Sequence, residues 1–187
     1  MSQNAKIIFL HGASSSGKST LARGIQNTID LPFWHISIDH LRDSGVLPQT
    51  RFRSGEFEWQ DARDQFFHGF HLSLAAYAQA GNNLILEHIL DTQGWLEELV
   101  GLFAPFDVFF VGVHCPLPML IEREKARGDR QIGSAEQDFY HIHQKMRYDL
   151  EVQSDNAPDE NVQRIIAAWK ERQQPSVFDQ MGQTEGK

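Results

Sequence analysis

The sequence KIIFLHGASSSGKSTLARGI, residues 6–25, places a glycine- and serine-rich turn between an apolar run and an amphipathic segment. It satisfies the pattern G-x-x-x-x-G-K-S, which is typical of a phosphate-binding P-loop. The four residues that fit the pattern are Gly12, Gly17, Lys18 and Ser19. Residues 7–10 are apolar, as expected of a buried parallel strand, and apolar side chains recur every fourth position after the turn. A strand before and a helix after favour a P-loop over an ordinary glycine-rich turn.

The loop predicts a site for a nucleoside triphosphate with Mg²⁺. Glycine permits positive φ and a close approach of the backbone to a ligand, so successive N–H groups can surround phosphate at a helix N-terminus. We expect Lys18 to reach the β- and γ-phosphates and the Ser19 hydroxyl to bind Mg²⁺. The expected nucleotide-binding residues of the loop are Gly12, Ser14, Ser15, Ser16, Gly17, Lys18, Ser19 and Thr20.

Composition limits the classes of partner. The 187 residues carry a formal net charge of -8, which argues against general binding to nucleic acid or anionic membranes, since both require a basic face. No run of about 18 apolar residues, the length that spans a bilayer, is present. The one cysteine, Cys115, excludes an internal disulfide and is more typical of a core residue than of a nucleophile. We expect a cytoplasmic protein; its oligomeric state is not encoded in these patterns.

Strand and helix patterns alternate along the chain, which predicts a parallel sheet with helices on both faces, a three-layer α/β sandwich. A short strand is predicted to end at Asp39, residues 48–60 are expected to be irregular, and a helix is predicted to cover 61–81. A buried strand is predicted to cover 83–90, and a further helix to cover 134–149. We expect residues 1–174 to form a single P-loop domain and residues 175–187 to be a flexible tail. Ligands of such sheets bind at the carboxyl ends of the strands.

Two acidic residues are predicted to lie at that edge. A carboxylate at Asp39 could accept the proton of a substrate hydroxyl or hold Mg²⁺ through water, although Asp is also a common N-cap of a following helix. Glu87 follows a buried strand, where an acidic residue of a P-loop site commonly helps to bind Mg²⁺. The alternative is that Glu87 is only a polar residue that ends the strand.

The stretch EREKARGDRQIG supplies a cluster of arginines. Arg123 and Arg127 are four residues apart and share a helix face, and Arg130 follows a Gly-Asp turn. A single guanidinium group can donate two parallel hydrogen bonds to phosphate oxygens. The cluster therefore favours a small lid that closes over the nucleotide. The alternative is a solvated helix face with ion pairs to Glu122 and Glu124.

The nine histidines do not form a Cys/His/carboxylate set at the sequence spacing of a zinc site. The closest pairs are His68/His71 and His141/His143, and we expect surface or partly buried histidines. Aromatic residues are also concentrated in one region, where they could line an apolar acceptor pocket or belong to the core. These aromatic residues are Phe57, Trp59, Phe66, Phe67 and Phe70.

Over about residues 5–155 the chain resembles the chloramphenicol phosphotransferase-like family of P-loop kinases. The resemblance rests on HGASSSGKS, on ISID, and above all on VGVHCPLPMLIEREKARGDRQIGSAEQDFYHIHQKMRYDLEV. It implies the P-loop, nucleoside-kinase-like fold, with five parallel strands and an arginine-bearing lid. The implied activity is transfer of the γ-phosphate of ATP to a primary hydroxyl of chloramphenicol, a 3-O-phosphotransferase reaction. The family's base falls on Asp39, and its lid arginines fall on Arg123, Arg127 and Arg130.

Two segments depart from the family pattern. The acidic pair expected at the third strand is Glu87-His88 here, and residues 45–70 are rich in Phe, Trp and Arg. The resemblance therefore supports the kinase reaction more strongly than it supports chloramphenicol as the acceptor. Two other functions remain open: a zeta-toxin-like kinase of a sugar nucleotide or peptidoglycan precursor, and a nucleotide-dependent switch or ATPase module. The N-K-x-D signature of guanine-binding switches is absent from the sequence.

Overall fold

The computed structural model describes residues 4–127 and 133–185. The strands are β1 (Lys6–His11), β2 (Phe33–Ser37), β3 (Asn83–His88), β4 (Asp107–His114) and β5 (Leu150–Gln153). The helices are α1 (Lys18–Thr28), α2 (Ile38–Asp43), α3 (Gln49–Arg53), α4 (Trp59–Gln79), α5 (Trp95–Phe103), α6 (Leu117–Arg127), α7 (Ser134–His141), α8 (Pro158–Lys170) and α9 (Val177–Glu185).

The five strands form one parallel sheet in the order β2-β3-β1-β4-β5. Strand β1 is central, and its residues 7–10 are fully buried because both faces of the sheet are covered. Ile7 and Phe9 pack with α4, α5 and α9 on one face, whereas Ile8 and Leu10 pack with α1 and α8 on the other. This arrangement confirms the expected five-stranded α/β sandwich.

The register of the sheet brings the functional edge together. Leu10 of β1 lies opposite Glu87 of β3, and Ser37 at the end of β2 lies opposite the same Glu87. Because all strands are parallel, the segments that follow β1, β2 and β3 emerge at one edge. The P-loop, helix α2 and the end of β3 are therefore neighbours in space although they are distant in sequence.

The C-terminal segment differs from the expected flexible tail. Residues 177–185 form helix α9, and Val177 and Phe178 are buried against the sheet. The Phe178 ring lies 5.1 Å from that of Phe110, and the Val177 N–H donates to the carboxylate of Asp149 at 2.8 Å. Burial of an apolar side chain contributes about 1.5–3 kcal/mol, so these two residues anchor a segment whose overall composition is polar.

Three further boundaries differ from those expected from the sequence. Strand β2 ends at Ser37, so Asp39 lies in the first turn of α2 instead of at a strand end. A short helix, α3, occupies part of the segment 48–60 that was expected to be irregular. Helix α7 ends at His141, well before the end of the helix expected over 134–149. In the described ranges, no helix combines the length and the apolar character required to cross a membrane.

Candidate active site

The loop between β1 and α1 has the backbone conformation that a P-loop requires. Gly17 has φ 95° and Ser15 has φ 63°, both in the left-handed region that only glycine adopts readily. At Gly12 a Cβ atom would lie 2.4 Å from the carbonyl oxygen of Val113 on β4, so only glycine fits there. Lys18 begins α1, whose N-terminal N–H groups face the loop and favour an anion.

The polar groups of the loop fit a phosphate ligand. Among the residues that the structure describes, the hydroxyl groups of Ser14, Ser15 and Ser16 are buried and lack a hydrogen-bond partner. The ammonium group of Lys18 donates to the carbonyl oxygens of Gly12 and Ala13 at 2.8 and 2.7 Å, which holds it on the inner side of the loop. Phosphate oxygens would accept hydrogen bonds from all of these donors.

Ser19 and Glu87, the expected metal ligands, are in direct contact. The Ser19 hydroxyl donates to Glu87 Oε2 at 2.8 Å, and Nε2 of His35 donates to the other oxygen, Oε1, at 2.7 Å. Burial would raise the pKa of Glu87, but the hydrogen bond from His35, the charge of Lys18 and the hydrogen bond from Ser19 together lower it. Glu87 is therefore an anionic carboxylate beside the P-loop, as a Mg²⁺ site requires.

Asp39 lies in the same region, but its place in the secondary structure differs from the prediction. It is neither a strand-end residue nor the N-cap of α2, because Ser37 caps that helix by accepting from the Asp39 N–H at 3.1 Å. The Asp39 carboxylate is one-quarter exposed and pairs with Arg42 at 3.2 Å and with Arg127 at 3.5 Å. The backbone of α2 is thus fixed by Ser37, which leaves the Asp39 side chain directed to the arginines.

Two of the three expected lid arginines belong to the described part of the chain. The Arg123 guanidinium donates to the carbonyl oxygen of Ser15 at 3.4 Å and to Ser154 at 3.4–3.5 Å, so it lies against the P-loop. Arg127 extends from the same helix to Asp39. Both guanidinium groups therefore contact residues of the candidate site. Arg130 lies outside the described residues.

One cleft of about 850 Å³ joins these groups. Its lining includes the P-loop from Ser14 to Thr20, together with Asp39, Glu87, Arg123 and Arg127. Aromatic side chains line another part: Phe67 contributes, together with His88 and Trp95. The other aromatic residues of the candidate pocket are not among its lining residues, and Phe70 is a core residue that is 2% exposed.

Residues 5–170 match the family described as chloramphenicol phosphotransferase-like protein. The chain belongs to this family. A candidate O-phosphotransferase from Mycobacterium tuberculosis H37Rv is 28% identical over 180 residues, which cover 86% of this chain and 80% of the relative. The resemblance inferred from the sequence motifs is therefore confirmed, and the chain is a member of a phosphotransferase family.

Solved kinases share the fold of this family member. The Mycobacterium tuberculosis APS kinase CysC, in complex with AMPPNP and APS, has a TM-score of 0.64 at 18% identity, with 90% of this chain and 99% of that chain covered. Shikimate kinase from Aquifex aeolicus has a TM-score of 0.57 at 18% identity, with coverages of 88% and 96%. At these identities the likeness establishes the P-loop kinase fold alone.

Two features of this phosphotransferase-family site were missed by sequence reasoning. The first is Glu124, which is 3% exposed and was expected only as a surface ion-pair partner. It accepts hydrogen bonds from the N–H groups of Gly133 and Ala135 and from the Ser134 hydroxyl at 2.6–2.8 Å. The Ser134 hydroxyl and these N–H groups lower the pKa of Glu124. Glu124 thereby joins α6, which carries Arg123 and Arg127, to the start of α7.

The second missed feature is a chain of hydrogen bonds that ends at His88, which lines the cleft together with Phe67 and Trp95. His71 Nδ1 donates to Glu98 at 2.7 Å, so His71 Nε2 can accept the proton of His88 Nε2 at 3.0 Å. Burial is the main cause that lowers the pKa of both rings, which keeps them neutral. The His88 ring also stacks on Phe67 and Trp95. The only sequence signal was His88 beside Glu87 at the end of a buried strand.

Proposed function

We propose that this protein transfers the γ-phosphate of ATP, bound with Mg²⁺, to a hydroxyl group of a small molecule. The observation that carries the proposal is the presence of the P-loop lysine, Asp39 and Arg127 in one cleft. An isolated P-loop would serve equally for a switch or an ATPase. A carboxylate beside it can orient and deprotonate an acceptor hydroxyl, and an arginine can stabilise charge on the transferring group.

The nucleotide would be held by the loop and by α6. The P-loop N–H groups and the serine hydroxyls would surround the phosphates, with the ammonium group of Lys18 on the β- and γ-phosphates. Ser19 and Glu87 would hold Mg²⁺, Glu87 directly or through water; when bound, the ion neutralises charge on the β- and γ-phosphate oxygens. Arg123 would approach the phosphates from the opposite side of the loop, where it already contacts Ser15.

Asp39 would act on the acceptor. Its carboxylate can orient the substrate hydroxyl at about 2.6–3.2 Å and take the proton as the P–O bond forms. Arg127, now 3.5 Å from Asp39, is placed to exchange this partner for the transferring phosphoryl group, whose charge it would stabilise. Arg130 is proposed to act with Arg127, as the family pattern implies.

The acceptor would carry an apolar or aromatic portion beside its hydroxyl group. Phe67, Trp95 and the neutral ring of His88 provide an apolar wall in the same cleft as Asp39. Chloramphenicol, the substrate in the family's name, has this combination of groups and is the first acceptor to test. The negative net charge argues against nucleic acid as the acceptor, and a cytoplasmic location would supply ATP.

The deciding experiment is mass spectrometry of products after incubation of the protein with ATP·Mg²⁺ and a panel of hydroxylated antibiotics and metabolites. We expect one class of acceptor to gain a phosphoryl group, and the Lys18→Ala variant to form none of it. A phosphorylated sugar nucleotide would assign the acceptor to the alternative kinase function. ATP hydrolysis that is equally fast without any acceptor would contradict the proposal and favour a switch or an ATPase.

A further inference from the structure

Beside the P-loop, three potential metal ligands converge from three elements. His35 lies on β2, His40 on α2 and Glu87 at the end of β3, and each offers one ligand atom within 4.8 Å of the other two. The imidazole rings of His35 and His40 are 4.7 Å apart. Of the residues that the structure describes, this is the one group of three or more His, Cys, Asp or Glu side chains with such a spacing.

The donor atoms differ from those that Mg²⁺ prefers. Mg²⁺ selects oxygen ligands in an octahedral arrangement, whereas two imidazoles and a carboxylate are the donors of many zinc sites. Among metal-binding side chains, neutral imidazole is well suited to zinc, copper, iron and nickel ions. The chemistry of the cluster therefore points to a transition-metal dication and not to a second magnesium ion.

The geometry requires only a small adjustment. A zinc ion with bonds of about 2.0–2.2 Å holds its tetrahedral ligands about 3.3 Å apart. The His35 nitrogen and the Glu87 oxygen are now 2.7 Å apart with a proton between them, so they would separate slightly as the ion replaces that proton. His40 is exposed, and the short helix α2 that carries it has no buried residues, so the ring is not fixed by the core.

We propose that His35, His40 and Glu87 form a binding site for a zinc-like divalent ion, with solvent as the fourth ligand. This site would compete with the magnesium nucleotide, because Glu87 is also bonded to Ser19 of the P-loop. An ion held by the two histidines keeps the Glu87 carboxylate on their side and neutralises its charge. Binding of the zinc-like ion does not depend on the proposed kinase reaction. Its competition with the magnesium nucleotide depends only on the proposed nucleotide binding and needs no acceptor.

The test is a titration of the chelator-treated protein with Co²⁺, followed by visible absorption, and with Zn²⁺, followed by calorimetry. We expect one equivalent to bind and to produce the intense absorption of tetrahedral Co²⁺. His40→Ala removes an exposed ligand and should weaken binding at least about tenfold. His141→Ala, an exposed histidine bonded within its own helix, is the matched control and should bind as the wild type does.

Two results would overturn the proposal. One is the lack of a saturable single-equivalent signal in the wild type, and the other is an unchanged affinity in His40→Ala. A second titration in the presence of AMPPNP and Mg²⁺ tests the shared carboxylate. We expect a weaker apparent affinity for Zn²⁺ there, and an equal affinity with and without the nucleotide would refute the sharing of Glu87. None of these measurements needs catalytic turnover, so a failure of the kinase proposal would be recognised separately.

Discussion

Nη2 of Arg127 lies 3.5 Å from Oδ2 of Asp39, so the expected lid arginine and the expected base form an ion pair inside the cleft that both residues line. Asp39 is also 3.2 Å from Arg42 on its own helix. The carboxylate therefore lies between two guanidinium groups, one fixed by α2 and one carried by α6. The carboxylate proposed as the base and the guanidinium group proposed to stabilise the transferring phosphoryl group are therefore in direct contact.

Removal of the P-loop ammonium group should abolish turnover. Lys18→Ala is expected to lower kcat by at least about 10²–10³-fold, because the lysine charge stabilises the transferring phosphate. Steady-state kinetics with the identified acceptor would measure this loss. Lys170→Ala, which removes an exposed lysine paired with Asp30, is the matched control. A near-normal rate in Lys18→Ala would contradict the assignment of the P-loop as the nucleotide site.

Arg127→Ala and Arg130→Ala should affect chemistry more than nucleotide binding. Charges of a lid contribute most when charge develops in the transition state, so kcat should fall while the Kd for ATP changes little. Single-turnover rates and ATP titrations would separate the two effects. Arg164→Ala, at an exposed position on α8, is the control. An unchanged kcat with a raised KM for the acceptor would instead identify these arginines as substrate contacts.

Asp39→Asn should retain the fold and ATP·Mg²⁺ binding but lose rate. Asparagine is nearly isosteric and keeps the backbone N–H that Ser37 accepts, but it cannot accept the substrate proton. We expect kcat to fall by about 10²–10⁴-fold, toward the lower end because phosphoryl-transfer transition states are loose. Asp43→Asn, on the same helix and bonded to Arg42, is the matched control. An equal loss of ATP affinity and rate would make Asp39 chiefly a metal-binding or structural residue.

Glu124→Gln should destabilise the junction of α6 and α7. The amide can accept through one oxygen only, and its NH₂ group would face N–H donors, so we expect a loss of about 1–3 kcal/mol in the free energy of unfolding. The pKa of Glu124 is lowered in the fold, so the carboxylate stabilises the protein above the unfolded pKa and loses this effect as the pH falls through the folded pKa.

Urea unfolding at neutral and acidic pH would measure both effects of Glu124→Gln. The difference between wild type and variant should be largest at neutral pH and should shrink on acidification. Glu122→Gln, at an exposed position of the same helix, should show neither effect. A difference that is independent of pH across the acidic range would rule out the buried carboxylate as its source.

Phe178→Ala should reveal that the C-terminal segment belongs to the core. The side chain is 4% exposed and contacts the rings of Phe9 and Phe110, so its loss should cost about 3–5 kcal/mol. Thermal and urea unfolding would measure the change, with Gln183→Ala at an exposed position as the control. A free flexible tail would give no difference between the two variants.

The local features of this protein were predictable from sequence. The P-loop depends on glycine conformations and on hydrogen bonds within a few residues, so the pattern at residues 12–19 was sufficient. The alternation of strand and helix patterns led to the parallel sheet, and the edge rule led to Glu87 as a residue of the P-loop edge, where the structure shows it in contact with Ser19. The family motifs carried the assignment of the phosphotransferase family, which the match over residues 5–170 confirms.

Features that depend on packing between distant segments required the tertiary structure. The sequence alone determined the P-loop, the alternating layers and the family, because each follows from periodicity or contiguous motifs. Only the folded chain brought Glu87 to His35 and His40, joined His88 through His71 to Glu98, placed Glu124 at the start of α7 and buried Phe178. Each contact joins segments whose separation along the chain has no fixed spacing, so its geometry exists only once the sheet and its covering helices have packed.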